Sequence, residues 1–407
     1  MKVIQKFFIF SFLTVIFVVG IFFMLNINIQ IPLYKVANKY SKPDVKWKKI
    51  LYGKYQTEYE NWFSENVSFR SFGLKGMNQI LYAFDSLSDI DRGKSNVLFY
   101  KDWTKRFFIN EEFDNFIGKK GNLDKYIENI EYINKYFNSH NKKLIYLITP
   151  NKAEVYEEKL PLRYKIIDKL ISENEKTKIR REISNKLKEK KILNIDFTPQ
   201  IEHLKDKGVK VFPKTGVHWN GISASEAIRE TVDKLNTEGT QIPKIEGTRI
   251  VKLKTPFRQE ELDGKNLMNV YFSKFDSKYF DVKLITEKKE KKINVFSIST
   301  SFSQVLVDTL NYDMPFKKYK RYFYNTYFSV LEYKNGKNTL SDMNMGNMKN
   351  SDYEDIVKNY DILIIEHTSI QLPESHIEFV NNFSNYLRNL ENKKVFTENK
   401  NIHKGGN

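Results

Sequence analysis

The sequence predicts an α/β protein: a parallel sheet flanked by helices and preceded by one N-terminal transmembrane helix. Three observations carry this. Short, mostly apolar runs at residues 144–149, 192–196, 293–298 and 361–367 have the pattern of strands buried on both faces, as in parallel sheets. Between them lie longer stretches with apolar residues near helical spacing. Residues 7–25 carry no charge and, at 1.5 Å per residue, reach across a hydrocarbon core of roughly 30 Å.

The N-terminal run follows Lys2 and Lys6, and no small-x-small cleavage site comes after it. It therefore reads as an uncleaved signal anchor over residues 1–28, with the lysines cytoplasmic and the rest of the chain outside. A polar, Lys-rich segment with Pro32 and Pro43 follows, and residues 29–57 are expected to form a stalk. The globular part runs from 58 to 400. It starts with an amphipathic helix continuing to about residue 85.

Residues 123–137 carry Tyr126, Ile127, Ile130, Ile133 and Phe137 at helical spacing and lead into the strand at 144–149. Pro150-Asn151-Lys152 stands at that strand's carboxyl end, where open α/β sheets bind ligands. The charged stretch 165–191 reads as a solvated helical face. Asp196 ends the second strand. Residues 221–235 suit a helix with Ala227, Ile228, Val232 and Leu235 inward. The irregular stretch 238–292 is expected to pack short strands against the sheet. A last amphipathic helix covers about 374–390, with 394–396 as an edge strand.

Composition excludes several chemistries. With no cysteine among 407 residues, disulfides, thiolate metal sites and a cysteine nucleophile are ruled out. No phosphate-binding glycine loop and no histidine pair at metal spacing occurs, so neither cofactor nor metal is expected. The net charge of +17 comes mostly from lysines scattered among Asn, Ile and Tyr, and no aromatic-basic motif points to nucleic acid.

Two short stretches carry the chemistry. Ser301 follows the strand at 293–298 and precedes a helical pattern at 304–310, so it sits at a strand-to-helix turn. Unpaired N–H groups at such a helix start offer half of an oxyanion hole. His218, in Gly216-Val217-His218-Trp219-Asn220, is the matching base; histidine and tryptophan number only 6 and 4, so their adjacency is not a compositional accident.

Thr215-Gly216-Val217-His218-Trp219-Asn220 followed by Thr300-Ser301-Phe302-Ser303 resembles the SGNH-hydrolase-like domain of the alginate O-acetyltransferase (AlgX/AlgJ) family. The usual forms there are Asp-x-His-Trp-(Thr/Asn) and Gly-Asp-Ser-Phe, with the histidine ahead of the serine. Trp62-Phe63, Phe69-Arg70, Lys101-Asp102-Trp103, the Pro150-x-Lys152 loop with Leu160-Pro161, and Leu262-Asp263-Gly264 are similar to further family segments. The resemblance implies an SGNH-hydrolase-like fold over 58–400 and a serine acyltransferase. Ser301 would be nucleophile and His218 base, with Thr300, Phe302, Asn151, Lys152, Trp219 and Asn220 around substrate and oxyanion.

It also implies an extracytoplasmic site, in the periplasm or at the cell surface, that modifies an exopolysaccharide acceptor. Acetyl groups would come from a membrane-bound O-acyltransferase partner. The alternatives are an acetyl-polysaccharide esterase or a catalytically silent glycan-binding or assembly subunit. The chain departs from the family at Gly216, which takes the place of the aspartate that orients the histidine, and at Thr300, which replaces the aspartate before the serine. Asp196 is the first choice for the missing acid, Asp263 the second and a backbone carbonyl the third. Gly216→Asp is expected to restore the pattern and raise turnover.

Overall fold

The computed structural model describes residues 2–35, 40–256, 258–275, 277–324, 326–344 and 346–404. The chain divides into two compact units, Met1–Asp91 with Gly264–Phe275, and Arg92–Asp263 with Asp276–Asn407.

In the first unit the helix Lys2–Met24 contains a segment, Val3–Met24, long and apolar enough to cross a membrane, as an anchor or a signal sequence would be. The amphipathic stretch expected as one helix is two, Lys54–Asn66 and Arg70–Ala83. The break falls at Phe69, whose φ of +63° cannot continue a right-handed helix. The start of the expected stalk is held at this break. Ile31 N–H donates to Ser71 Oγ at 2.7 Å, and Ser71 N–H donates to Gln30 Oε1 at 2.9 Å.

Strands are numbered in chain order: β1 (Ile90–Arg92), β2 (Leu98–Tyr100), β3 (Lys143–Thr149), β4 (Asn194–Asp196), β5 (Ile245–Leu253), β6 (Tyr279–Thr286), β7 (Asn294–Ser299), β8 (Lys318–Phe323), β9 (Tyr327–Lys334), β10 (Lys337–Asn344) and β11 (Ile362–Thr368). The main sheet runs β10-β9-β8-β7-β11-β3-β4. From β8 to β4 it is parallel, and the β9–β10 hairpin extends it antiparallel.

The parallel strands alternate across the two faces. Ile145, Leu147, Val295, Ile362 and Ile364 join one core with helices Gly221–Thr237 and Phe302–Leu310. Leu144, Tyr146, Ile148, Phe296, Ile298, Leu363 and Ile365 join the other with Asn122–Ser139 and Lys178–Glu189. Helices on both faces explain why these strands are apolar throughout. The charged stretch 165–191 is not wholly solvated, since Ile179, Ile183 and Leu187 are buried in that second core.

Two expectations fail. The strands within 238–292, β5 and β6, pair with each other and pack on the helix Gly221–Thr237 instead of the sheet. Val282 lies against Gly221, where a Cβ would come within 3.2 Å of it. Residues 394–396 lie inside the helix Glu374–Lys404, because two apolar residues among good helix formers extend a helix more readily than they start a strand.

Candidate active site

β7 ends at Ser299, and the chain turns through Thr300 and Ser301 into the helix Phe302–Leu310. The turn is fixed from the neighbouring strand. Ile298 pairs with Ile365 of β11, so Glu366 comes next to the turn. Its buried carboxylate accepts from Thr300 N–H at 2.8 Å, the Thr300 hydroxyl at 3.0 Å and the Thr149 hydroxyl at 2.7 Å. Burial raises the Glu366 pKa and these donors oppose the rise. The turn is thus held from across the sheet through the amide and hydroxyl of Thr300. Arg321 of β8, fully buried, donates to Ser303 Oγ at 3.1 Å and Gln304 Oε1 at 2.6 Å, bracing the first turn of the serine helix.

His218 reaches the serine from a loop without regular structure. Its Nε2 is 2.8 Å from Ser301 Oγ, and its Nδ1 is 2.5 Å from Asp263 Oδ2. The other oxygen of Asp263 accepts from Val217 N–H at 2.7 Å. With the carboxylate on Nδ1, that nitrogen carries the proton and Nε2 faces the hydroxyl as acceptor. The imidazole is buried, with the Trp103 ring perpendicular at 5.3 Å and Phe302 at 4.9 Å.

The carboxylate on the histidine is therefore that of Asp263 and not of Asp196. Asp196 ends β4, three strands from β7, which at about 4.8 Å per strand is roughly 14 Å away. It accepts from Thr198 N–H at 3.0 Å and lies 3.6 Å from Arg180. Asp196 serves as a turn residue at the start of the helix Thr198–Asp206.

Gly216 also has a different meaning from the one its position suggests. A Cβ there would lie 2.2 Å from the Glu260 carbonyl oxygen and 2.8 Å from Pro213 Cγ. The segment that carries Asp263 occupies the space where the family's aspartate would stand. Thr215 fastens the two stretches, its hydroxyl donating to the Glu261 carbonyl at 2.6 Å. Gly216→Asp cannot restore the family pattern without displacing the acid already present.

Several residues expected around substrate are spent on holding this loop. Lys152 is buried, and its ammonium donates to the carbonyls of Pro213 at 2.6 Å, Lys214 at 3.2 Å and Gly216 at 2.6 Å. Burial pulls its pKa down to about 7, with Asp263 opposing. With three donors given to three carbonyls, it has none left for a ligand. Asn220 caps the helix Gly221–Thr237, accepting from Ile222 N–H at 3.1 Å and Ser223 N–H at 3.2 Å, and donates to the Lys210 carbonyl. Trp219 donates its indole N–H to the Phe302 carbonyl at 2.9 Å, tying the histidine loop to the serine helix. Asn151 accepts from Ala153 N–H at 2.8 Å. Thr300 and Phe302 flank the serine as expected, both buried.

Tyr324 was not foreseen. Its phenol is largely buried beside Ser301 and Thr300, whose polar groups oppose the rise as burial pushes its pKa up to about 12. Its backbone is left-handed, with φ of +43°. Such a conformation in a bulky residue is uncommon and turns up at functional sites. Nothing in the sequence signalled it, because it follows β8, a strand that apolar pattern does not reveal.

A hydroxyl, an imidazole and a carboxylate in one hydrogen-bonded line constitute the arrangement required for acyl transfer through serine. Among the described residues no cluster of His, Asp and Glu is arranged to hold a metal ion.

Residues 101–272 match a family model described as SGNH hydrolase-like domain, acetyltransferase AlgX. The match takes in His218 and Asp263 and stops before Ser301. Over this stretch the resemblance drawn from the motifs holds, and the α/β architecture with its mostly parallel sheet agrees with the fold expected from it. Among solved structures, the O-acetyltransferase domain of Pseudomonas putida AlgJ is similar at 13% identity and a TM-score of 0.47, over 73% of this chain and 99% of that one. Pseudomonas aeruginosa AlgX follows at 14% identity and 0.43, over 72% and 66%, and Bacillus cereus PatB1 at 10% identity and 0.46, over 71% and 99%. No curated protein matches this chain.

Proposed function

We propose that this chain is an O-acetyltransferase acting on an extracytoplasmic polysaccharide, with Ser301 as nucleophile, His218 as general base and Asp263 as the acid that orients it. The Val3–Met24 helix would hold it to the membrane as a single-pass protein. The observation that carries the proposal is the continuous Asp263–His218–Ser301 line, two members of which lie in the stretch matched to an acetyltransferase family.

In the first half-reaction Ser301 Oγ attacks the acetyl carbonyl of the donor and passes its proton to His218 Nε2. Asp263 stabilises the imidazolium. The oxyanion forms at the start of the helix Phe302–Leu310, whose N-terminal N–H groups and dipole favour negative charge there. The leaving group takes the proton from His218, and Ser301 carries the acetyl group. A sugar hydroxyl then gives its proton to His218 and attacks the acetyl carbon, and Ser301 is released protonated. Under this proposal the donor is a membrane-bound O-acyltransferase partner.

The reading as a silent subunit rested on Gly216 and Thr300. Asp263 and Glu366 stand in for both missing carboxylates, which favours catalysis. The test is turnover of a chromogenic acetyl ester by the full chain, with and without an oligosaccharide acceptor. Ser301→Ala and His218→Ala should each remove turnover while the folded state persists by circular dichroism. Acceptor-stimulated release marks a transferase and acceptor-independent release an esterase. Wild-type turnover in both variants would rule out Ser301 as nucleophile.

A further inference from the structure

The first unit contains an apolar surface that the proposed chemistry does not use. On the helix Arg70–Ala83, followed by Phe84, the side chains of Leu74, Met77, Ile80 and Phe84 are 36%, 57%, 57% and 76% exposed. At 100° per residue they fall within one stripe about 120° wide, and no charged side chain interrupts it between 74 and 84. One flank and the back of the helix are occupied. Asn78 donates to the Met268 carbonyl at 2.9 Å, and Gln79 accepts from Phe272 N–H at 2.9 Å.

The start of this helix is fixed against the outer end of the spanning segment. Phe69 packs edge-on against Phe22 at 5.2 Å, and Phe23 packs on Phe63 at 4.8 Å and Trp62 at 5.9 Å. Phe69 N–H also donates to the Ile29 carbonyl at 2.9 Å. Phe22 and Phe23 lie in the last turn of the Lys2–Met24 helix, so the exposed stripe begins at the depth where hydrocarbon gives way to headgroups. The neighbouring helix Trp47–Leu51 adds Trp47 and Leu51, each 80% exposed, among Lys46, Lys48 and Lys54. A salt bridge from Lys49 to Glu58 at 2.7 Å holds it to the same module.

We propose that residues 47–84 form an interfacial collar, with the Leu74, Met77, Ile80 and Phe84 stripe lying in the outer headgroup and upper acyl region of the bilayer. This rests on the reading of Val3–Met24 as an anchor. Apolar stripes flanked by lysines and aromatics bind such interfaces in proportion to the area they bury. The collar makes the membrane contact two-point, and it fixes the rotation of the first unit about the anchor as a single helix cannot.

The absence of cysteine allows a clean test. Single-cysteine variants Met77→Cys and Ile80→Cys of the full chain, with Ile16→Cys in the anchor and Lys125→Cys as an exposed control, would carry an environment-sensitive nitrobenzoxadiazole label in phosphatidylcholine–phosphatidylglycerol vesicles. Labels at 77 and 80 should be quenched by shallow doxyl lipids and show at least about threefold less iodide quenching than the label at 125. The label at 16 should respond to deep doxyl lipids. Iodide access at 77 and 80 equal to that at 125, with 16 buried in lipid, overturns the collar alone. Shielding at 77 and 80 without doxyl quenching assigns the stripe to another protein or a second copy and overturns it as well. Iodide access at 16 overturns the anchor and the collar together.

Discussion

The serine turn and the histidine loop meet at 2.8 Å, yet they are held by different means. The turn hangs between strands: Glu366 reaches it from β11 and Arg321 from β8, both adjacent to β7 in the sheet. The loop is no part of the main sheet and takes one backbone bond from β2, Leu98 N–H to the Lys214 carbonyl at 2.9 Å. It is held by a buried ammonium under three of its carbonyls, by the Asp263 carboxylate on two of its successive residues, and by contact of Gly216 with the Glu260 backbone. A strand end inherits its partners from sheet order. A loop must recruit them from elsewhere in the chain.

The sharpest test of that contrast lies in the two aspartates. Asp263→Asn should lower kcat for acetyl-ester turnover by about 10⁴-fold, roughly 5 kcal/mol at ~1.4 kcal/mol per decade, with KM little changed. Asp196→Asn should change kcat by less than about twofold. Equal losses in the two variants, measured on folded protein, would return the acid to an open question.

Gly216→Asp probes the packing of the loop itself. The added side chain meets backbone, which cannot swing aside as a side-chain tip does, so a cost of about 2–3 kcal/mol in stability is expected. Turnover should fall with it, because the displaced segment carries the acid. A rise in turnover would show that the Asp263 contact is not the productive one.

Glu366→Gln tests the turn. An amide of the same shape keeps one acceptor oxygen but loses charge and places N–H donors against donors, at about 1–3 kcal/mol. Thermal unfolding should register that loss, and kcat should drop about tenfold as the serine turn loosens. An unchanged melting temperature would mean that Thr300 is held by the backbone alone.

What the sequence made legible follows the same division. Four parallel strands stood out because burial on both faces leaves an apolar run, and Ser301 followed from its place after one of them. His218 was found by its motif. Asp263 was ranked below Asp196 because strand ends are readable in sequence while a contact spanning 45 residues of irregular chain is not. The family-like segment Leu262-Asp263-Gly264 was the available signal. β8 went unseen because its Lys320 and Arg321 look solvent-facing. In the structure both are buried, Lys320 paired with Asp355 at 3.0 Å and Arg321 bound to the serine helix. A buried charge with its partner in another element hides a strand from any reading of apolar pattern.

The separation of acid from base also governs when the chain becomes reactive. In the family's usual motif the two lie two residues apart and can pair locally. Here the histidine waits for an acid 45 residues downstream and a nucleophile 83 residues downstream. While the protein is being made, an emerging chain that ends before residue 263 has a base with no acid, and one that ends before residue 301 has no nucleophile. Under the proposed mechanism, competence for acyl transfer would therefore arrive late, as a property of the finished tertiary structure, and a partly made chain would lack it.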